Sequence, residues 1–104
     1  MDILSMLGFG NGKIKGALRN GAVIIDIRTA HEFDQGKVRG SINIPMDRLT
    51  INLQRIRQLR QPIVICSDSE SENEKAINFL KANGVKEILN GGTWTRMLKI
   101  TKSI

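Results

Sequence analysis

Two kinds of apolar pattern alternate along the chain. Ala22-Val23-Ile24-Ile25-Asp26-Ile27 and Pro62-Ile63-Val64-Ile65 are short, nearly continuous β-branched runs, as expected of strands buried on both faces. Ser41-Ile42-Asn43-Ile44, ended by Pro45, predicts a further short strand, and Val85 to Leu89 a last one followed by a turn at Asn90-Gly91-Gly92. Between them the spacing becomes helical. Lys13 to Arg19 reads as a short helix closed by Gly21. Leu49, Leu53, Ile56 and Leu59 give one apolar face to a helix from about Asp47, with Arg48, Arg55 and Arg57 outward. Ala76, Ile77, Phe79 and Leu80 give another, stopped by Gly84, and Trp94 to Lys99 predicts a terminal helix. This order predicts an α/β fold, a central largely parallel sheet flanked by helices on both faces. It forms a single domain over residues 13–104 behind a lead-in segment at 1–12, whose first nine residues form either a loose lead or a short amphipathic helix.

Charge and cysteine content narrow the function classes. The formal net charge is +6, but the basic residues run from Lys13 to Lys102 with no dense tract, and there is no Tyr. A solvated basic surface is therefore expected, and no nucleic-acid partner. Asp68, Glu70, Glu72 and Glu74 instead crowd one stretch, setting an acidic mouth on a basic body. A lone cysteine forms no internal disulfide and, without a Cys/His cluster, no metal site, which points to a reducing compartment. The first nine residues lack the basic leader and cleavage site of an export signal, and no apolar run reaches membrane-spanning length, so the expected location is the cytoplasm, without membrane contact.

That cysteine, Cys66, stands where Pro62–Ile65 ends and Ser67-Asp68-Ser69-Glu70-Ser71-Glu72 begins. Ser-x-x-Glu ahead of an apolar periodic stretch marks a helix start, so Cys66 is expected on a strand-to-helix turn, where helix amides and dipole stabilise a thiolate nucleophile. The alternative is a small buried hydrophobe at a strand end. Ser69 with Glu72 and Ser71 with Glu74 each match a capping box, which accounts for the acids without any role in selecting substrate. Burial of Asp26 demands a partner, for which Arg28 is placed, and the pair is expected to support the site structurally. His31 is expected in a short exposed helix, away from chemistry.

The motifs Val23-Ile24-Ile25-Asp26-Ile27-Arg28, Glu32-Phe33 and Gly36-Lys37-Val38-Arg39-Gly40-Ser41-Ile42-Asn43-Ile44-Pro45 resemble the opening of rhodanese-like domains. Phe79-Leu80-Lys81-Ala82-Asn83-Gly84-Val85 and Leu89-Asn90-Gly91-Gly92 follow in that family's order, extending the resemblance over about residues 13 to 98. It implies a sulfurtransferase in which Cys66 takes sulfane sulfur from a small donor such as thiosulfate, holds it as a persulfide, and passes it to a thiol or cyanide acceptor or a sulfur-accepting protein. Ser67, Asp68, Ser69, Glu70, Ser71 and Glu72 would form the substrate-binding loop, and no cofactor or metal is called for. The chain departs from the family pattern in that loop. The usual glycine is replaced by Ser69, no Arg or Lys occurs until Lys75, and Ala76 and Gly84 lie one position beyond their usual offset from the cysteine. These departures imply a loop longer by one residue and a late helix start. They disfavour phosphatase or arsenate chemistry, whose oxyanion requires an arginine where Glu72 stands. They also admit a second function, a rhodanese-like binding module without sulfur chemistry whose acidic mouth recognises a basic partner.

Overall fold

In the computed structural model, residues 9–104 are described, and the lead-in reading of residues 1–8 lies outside them. The chain runs α1 (Phe9–Arg19), β1 (Val23–Asp26), α2 (Ala30–Gln35), β2 (Ile42–Asn43), a 3₁₀ turn (Met46–Arg48), α3 (Leu53–Gln58), β3 (Ile63–Ser67), α4 (Glu70–Ala82), β4 (Ile88–Thr93) and α5 (Trp94–Lys102). The strands form one sheet in the order β2-β1-β3-β4, and every neighbouring pair is parallel. Parallel pairing requires crossovers, and the helices that make them cover both faces.

Period-two alternation assigns the strand side chains to two cores. Ile25, Ile63 and Ile65 pack with Leu49, Ile56, Ala76 and Leu80 on the α3/α4 face. Ile24, Val64 and Cys66 pack with Ile14, Met97 and Ile100 on the α1/α5 face. Because β1 connects outward to β2 while β3 lies on its other side, the chain's direction of winding reverses between β1 and β3. The crevice outside their carboxyl ends is where ligands bind in such sheets.

Several boundaries differ from expectation. α1 begins at Phe9, and the helix expected from Asp47 divides into the 3₁₀ turn and a six-residue α3. Asn90-Gly91-Gly92 is not a turn but the middle of β4. Local glycines suggest a turn, yet here they permit close packing. A Cβ on Gly91 would lie 2.8 Å from Val64 Cγ1 and 2.9 Å from Met97 Sδ. The longer loop and late helix are also corrected. β3 continues through Ser67, Ser69 caps α4 by accepting from the Glu72 N–H, and the helix starts at Glu70, leaving only Asp68 and Ser69 between the elements. The expected Ser69/Glu72 box is thus only half formed: the serine caps, but no return bond from the Glu72 side chain is present.

Candidate functional site

The alternation that separates the two cores also separates Cys66 from Ser67. Cys66 lies within β3 rather than on a turn, paired in register with Asp26, and its side chain is wholly buried on the α1/α5 face. Burial pushes the thiol pKa up to about 12, with the neighbouring Asp26 charge adding to the rise and Arg28 opposing it. Such a thiol stays protonated near pH 7. Desolvation thus opposes thiolate formation at Cys66, and the helix terminus expected to favour it belongs to the opposite face.

Asp26 and Arg28 are joined by a fork. Arg28 Nη2 donates to Asp26 Oδ2 at 2.8 Å and Nε to Oδ1 at 3.0 Å, with both side chains buried. The guanidinium also donates to the carbonyls of Glu32 and Gly36 and lies 4.3 Å from the centre of the Trp94 ring. Asn43 Nδ2 bridges the carbonyls of Asp26 and Arg28, fastening β2 to the same corner. The cation nearest the site is thus consumed by the scaffold. His31 stands on exposed α2 beside Gln35.

Ser67 is directed the other way. Its hydroxyl donates to Asn73 Oδ1 at 2.6 Å and accepts from the Ser69 N–H at 3.0 Å. Asn73, completely buried, then donates to Asn90 Oδ1 and to the Gly92 carbonyl, tying β3, α4 and β4 together. The sequence reading missed Asn73 and Asn90. Asn73 lies three residues before Ala76 and seven before Leu80, on the apolar stripe of α4, and a polar residue at that spacing was the available signal.

The carboxyl ends of β1 and β3 open into a hollow of about 380 Å³. Ile27, Pro45 and Met46 form its apolar wall, while Ser67, Asp68, Ser69 and Glu72 line the other side. Of the expected loop residues, Glu70 and Ser71 are exposed outside this lining, and Cys66 is absent from it. Glu32 and Asp47 contribute carboxylates that the sequence reading had not placed here. Thr29 and Glu32 form a reciprocal capping box, and the Thr29 hydroxyl and N–H hold the Glu32 carboxyl below its usual range. Asp68 is pushed above its usual range, first by partial burial and then by the hydrogen bond and charge of Glu32. Among the described residues Arg28 is the only cation lining the hollow, and Asp26 neutralises it, so the mouth is net acidic.

The rhodanese-like domain model matches residues 11–93. A Bacillus subtilis protein, uncharacterized YqhL, is 33% identical over 85 residues, covering 78% of this chain and 67% of its own. A protein of Allochromatium vinosum named sulfurtransferase is 30% identical over 78 residues, 71% of this chain and 72% of that protein. Among solved structures, the Rhodanese_3-like domain of the Anabaena sp. Alr3790 protein superposes with a TM-score of 0.69 at 16% identity, covering 78% of this chain and 93% of that domain. An E. coli rhodanese with anions gives 0.66 at 19% identity, covering 73% and 91%. Among the described residues no helix is long and apolar enough to cross a membrane. Fold, motif order and the matched span agree: the chain belongs to the rhodanese-like domains, a sulfurtransferase-type family.

Proposed function

We propose that this chain is a recognition module on a rhodanese-like fold, whose acidic mouth takes a cationic side chain of a partner protein. The observation that carries this reading is the position of Cys66, buried behind the sheet with its thiol held protonated and outside the lining of the mouth. Sulfur transfer through Cys66 requires an exposed thiolate, and this side chain would have to leave the core to provide one.

The offsets in the sequence support the same reading. Because α4 starts without delay, the usual spacing counted back from Ala76 and Gly84 reaches Ser67, so a serine stands where the family pattern has its reactive cysteine. A hydroxyl cannot hold sulfur as a persulfide, and the Ser67 hydroxyl is already bonded to Asn73 and Ser69. On the partner side, Ile27, Pro45 and Met46 suit the aliphatic stem of a lysine or arginine, while Glu32, Asp68 and Glu72 face its charged head.

Incubation with thiosulfate followed by intact-mass measurement tests the reading. The expected result is no one-sulfur adduct on the native protein, together with binding of a Lys/Arg-bearing peptide that weakens in Glu32→Gln/Glu72→Gln. An adduct that disappears in Cys66→Ser would overturn the reading in favour of a sulfur carrier. Cation binding should also weaken as pH falls, beginning above the usual carboxylate range, because Asp68, its pKa raised, takes up a proton early.

A further inference from the structure

At the amino-terminal end of the sheet, opposite the mouth, the charge is reversed. Two hollows of about 210 and 380 Å³ lie on either side of the Lys86-Glu87 segment that leads into β4. The smaller is bordered by Arg57 and Arg60, the larger by Lys13 and Lys81, and Lys86 borders both. Against these exposed cations stands a single carboxylate, Glu87, and none of them forms an ion pair with another described residue. The floors are apolar, with Leu59 and Val85 on one side and Ala17, Pro62 and Leu89 on the other.

We propose that this end of the sheet docks an acidic peptide segment of a partner protein, its apolar side chains seated in the two hollows and its carboxylates paired with the surrounding lysines and arginines. Charge complementarity selects this occupant. Small ligands of parallel sheets bind at the other end, which suits this one to a protein surface. Nucleic acid fits poorly, because neither hollow offers an aromatic ring for base stacking and Glu87 stands between them where a phosphate chain would pass. A second copy of this chain has an acidic helix start to offer, but carries the same net charge of +6, and the two bodies repel. The module so described is bipolar, with an acidic mouth for a basic side chain and a basic groove for an acidic segment.

Fluorescence anisotropy with a labelled peptide of alternating Asp and Leu tests the groove, using a same-length Lys/Leu peptide and an oligothymidylate as comparisons. The expected result is saturable binding of the Asp/Leu peptide, stronger than that of the oligonucleotide and weakened at least about tenfold in Lys81→Glu/Lys86→Glu, the scale of losing close charge pairs across an interface. Both lysines are exposed, so the variant should keep its melting temperature and the mouth's affinity for the basic peptide, which separates failure of the groove from failure of the mouth. Peptide binding unchanged in the variant would overturn the proposal. So would equal or tighter oligonucleotide binding, or self-association without peptide that the double substitution abolishes.

Discussion

Cys66 and Ser67 are covalent neighbours in two chemically opposite regions. Among the described residues, one packs with Ile24, Val64, Met97 and Ile100, near the charges of the Asp26–Arg28 pair; the other opens a polar relay through Asn73 to Asn90 and Gly92 beside an acidic hollow. The difference arises from strand geometry alone, since a shift of one residue moves a side chain to the other face. A reactive group at a strand end therefore depends on register more than on proximity to a helix start. In this chain the thiol lies on the core face and the hydroxyl on the face of the mouth.

The largest effect should come from the cysteine's side of the sheet. Asp26→Ala leaves the Arg28 guanidinium buried with two backbone carbonyls and a tryptophan face but no direct ion-pair partner, since Asp68 and Glu32 act on it only at a distance. Breaking such a pair costs about 3–5 kcal/mol, read as a lowered midpoint in urea unfolding. A loss under about 1 kcal/mol would mean that the pair adds nothing to the α1/α5 core beyond an exposed ion pair.

The register argument is tested next by moving the thiol. In a Cys66→Ala background, Ser67→Cys places sulfur on the side of the mouth, where the hydroxyl now accepts from the Ser69 N–H. Labelling by a small disulfide reagent under native conditions should be at least about tenfold faster in this double variant than at Cys66 of the parent protein, because position 67 borders the open hollow and position 66 does not. Equal rates would show that the two faces do not differ in access, and the comparison would fail.

Much of the fold was legible because its signals are periodic. β-Branched runs marked β1 and β3, apolar spacing marked α4, and Gly21 and Gly84 adopt the positive φ that their place after a helix required. The site was less legible because its signals are positional. Ser67 continues β3 through pairing with Thr93, and a β-bulge at Ile65/Cys66 lets β4 run through Asn90-Gly91-Gly92. Both are long-range facts that no local pattern carries. The carboxylates of Glu32 and Asp47 reach the mouth from elements far away in sequence, so the crowd of acids after Cys66 described only one of its walls. Asp26 and Arg28, two residues apart on one face of an extended segment, needed no such help: the structure pairs them directly.

The smallest effect at neutral pH belongs to Cys66 itself and separates a buried hydrophobe from an acid. Cys66→Ala removes one sulfur from a packed pocket, at a cost of about 1 kcal/mol. Its dependence on pH is more informative. The folded thiol is pushed up to about 12 from an ordinary value of 9.0, chiefly by burial, so folding favours its protonated form. The resulting stability is complete below pH 9.0 and is lost as pH rises toward 12, because the unfolded chain releases the proton first. The other charged groups are common to both proteins, so the difference between parent and Cys66→Ala isolates the thiol. Urea midpoints of the two should therefore converge as pH is raised above about 9 and cross before about 11, with the parent losing more. A gap that stays constant would mean that the thiol ionises as readily in the folded protein as in the unfolded chain. Cys66 would then have access to water, which the packing of Val64, Met97 and Ile100 around it denies.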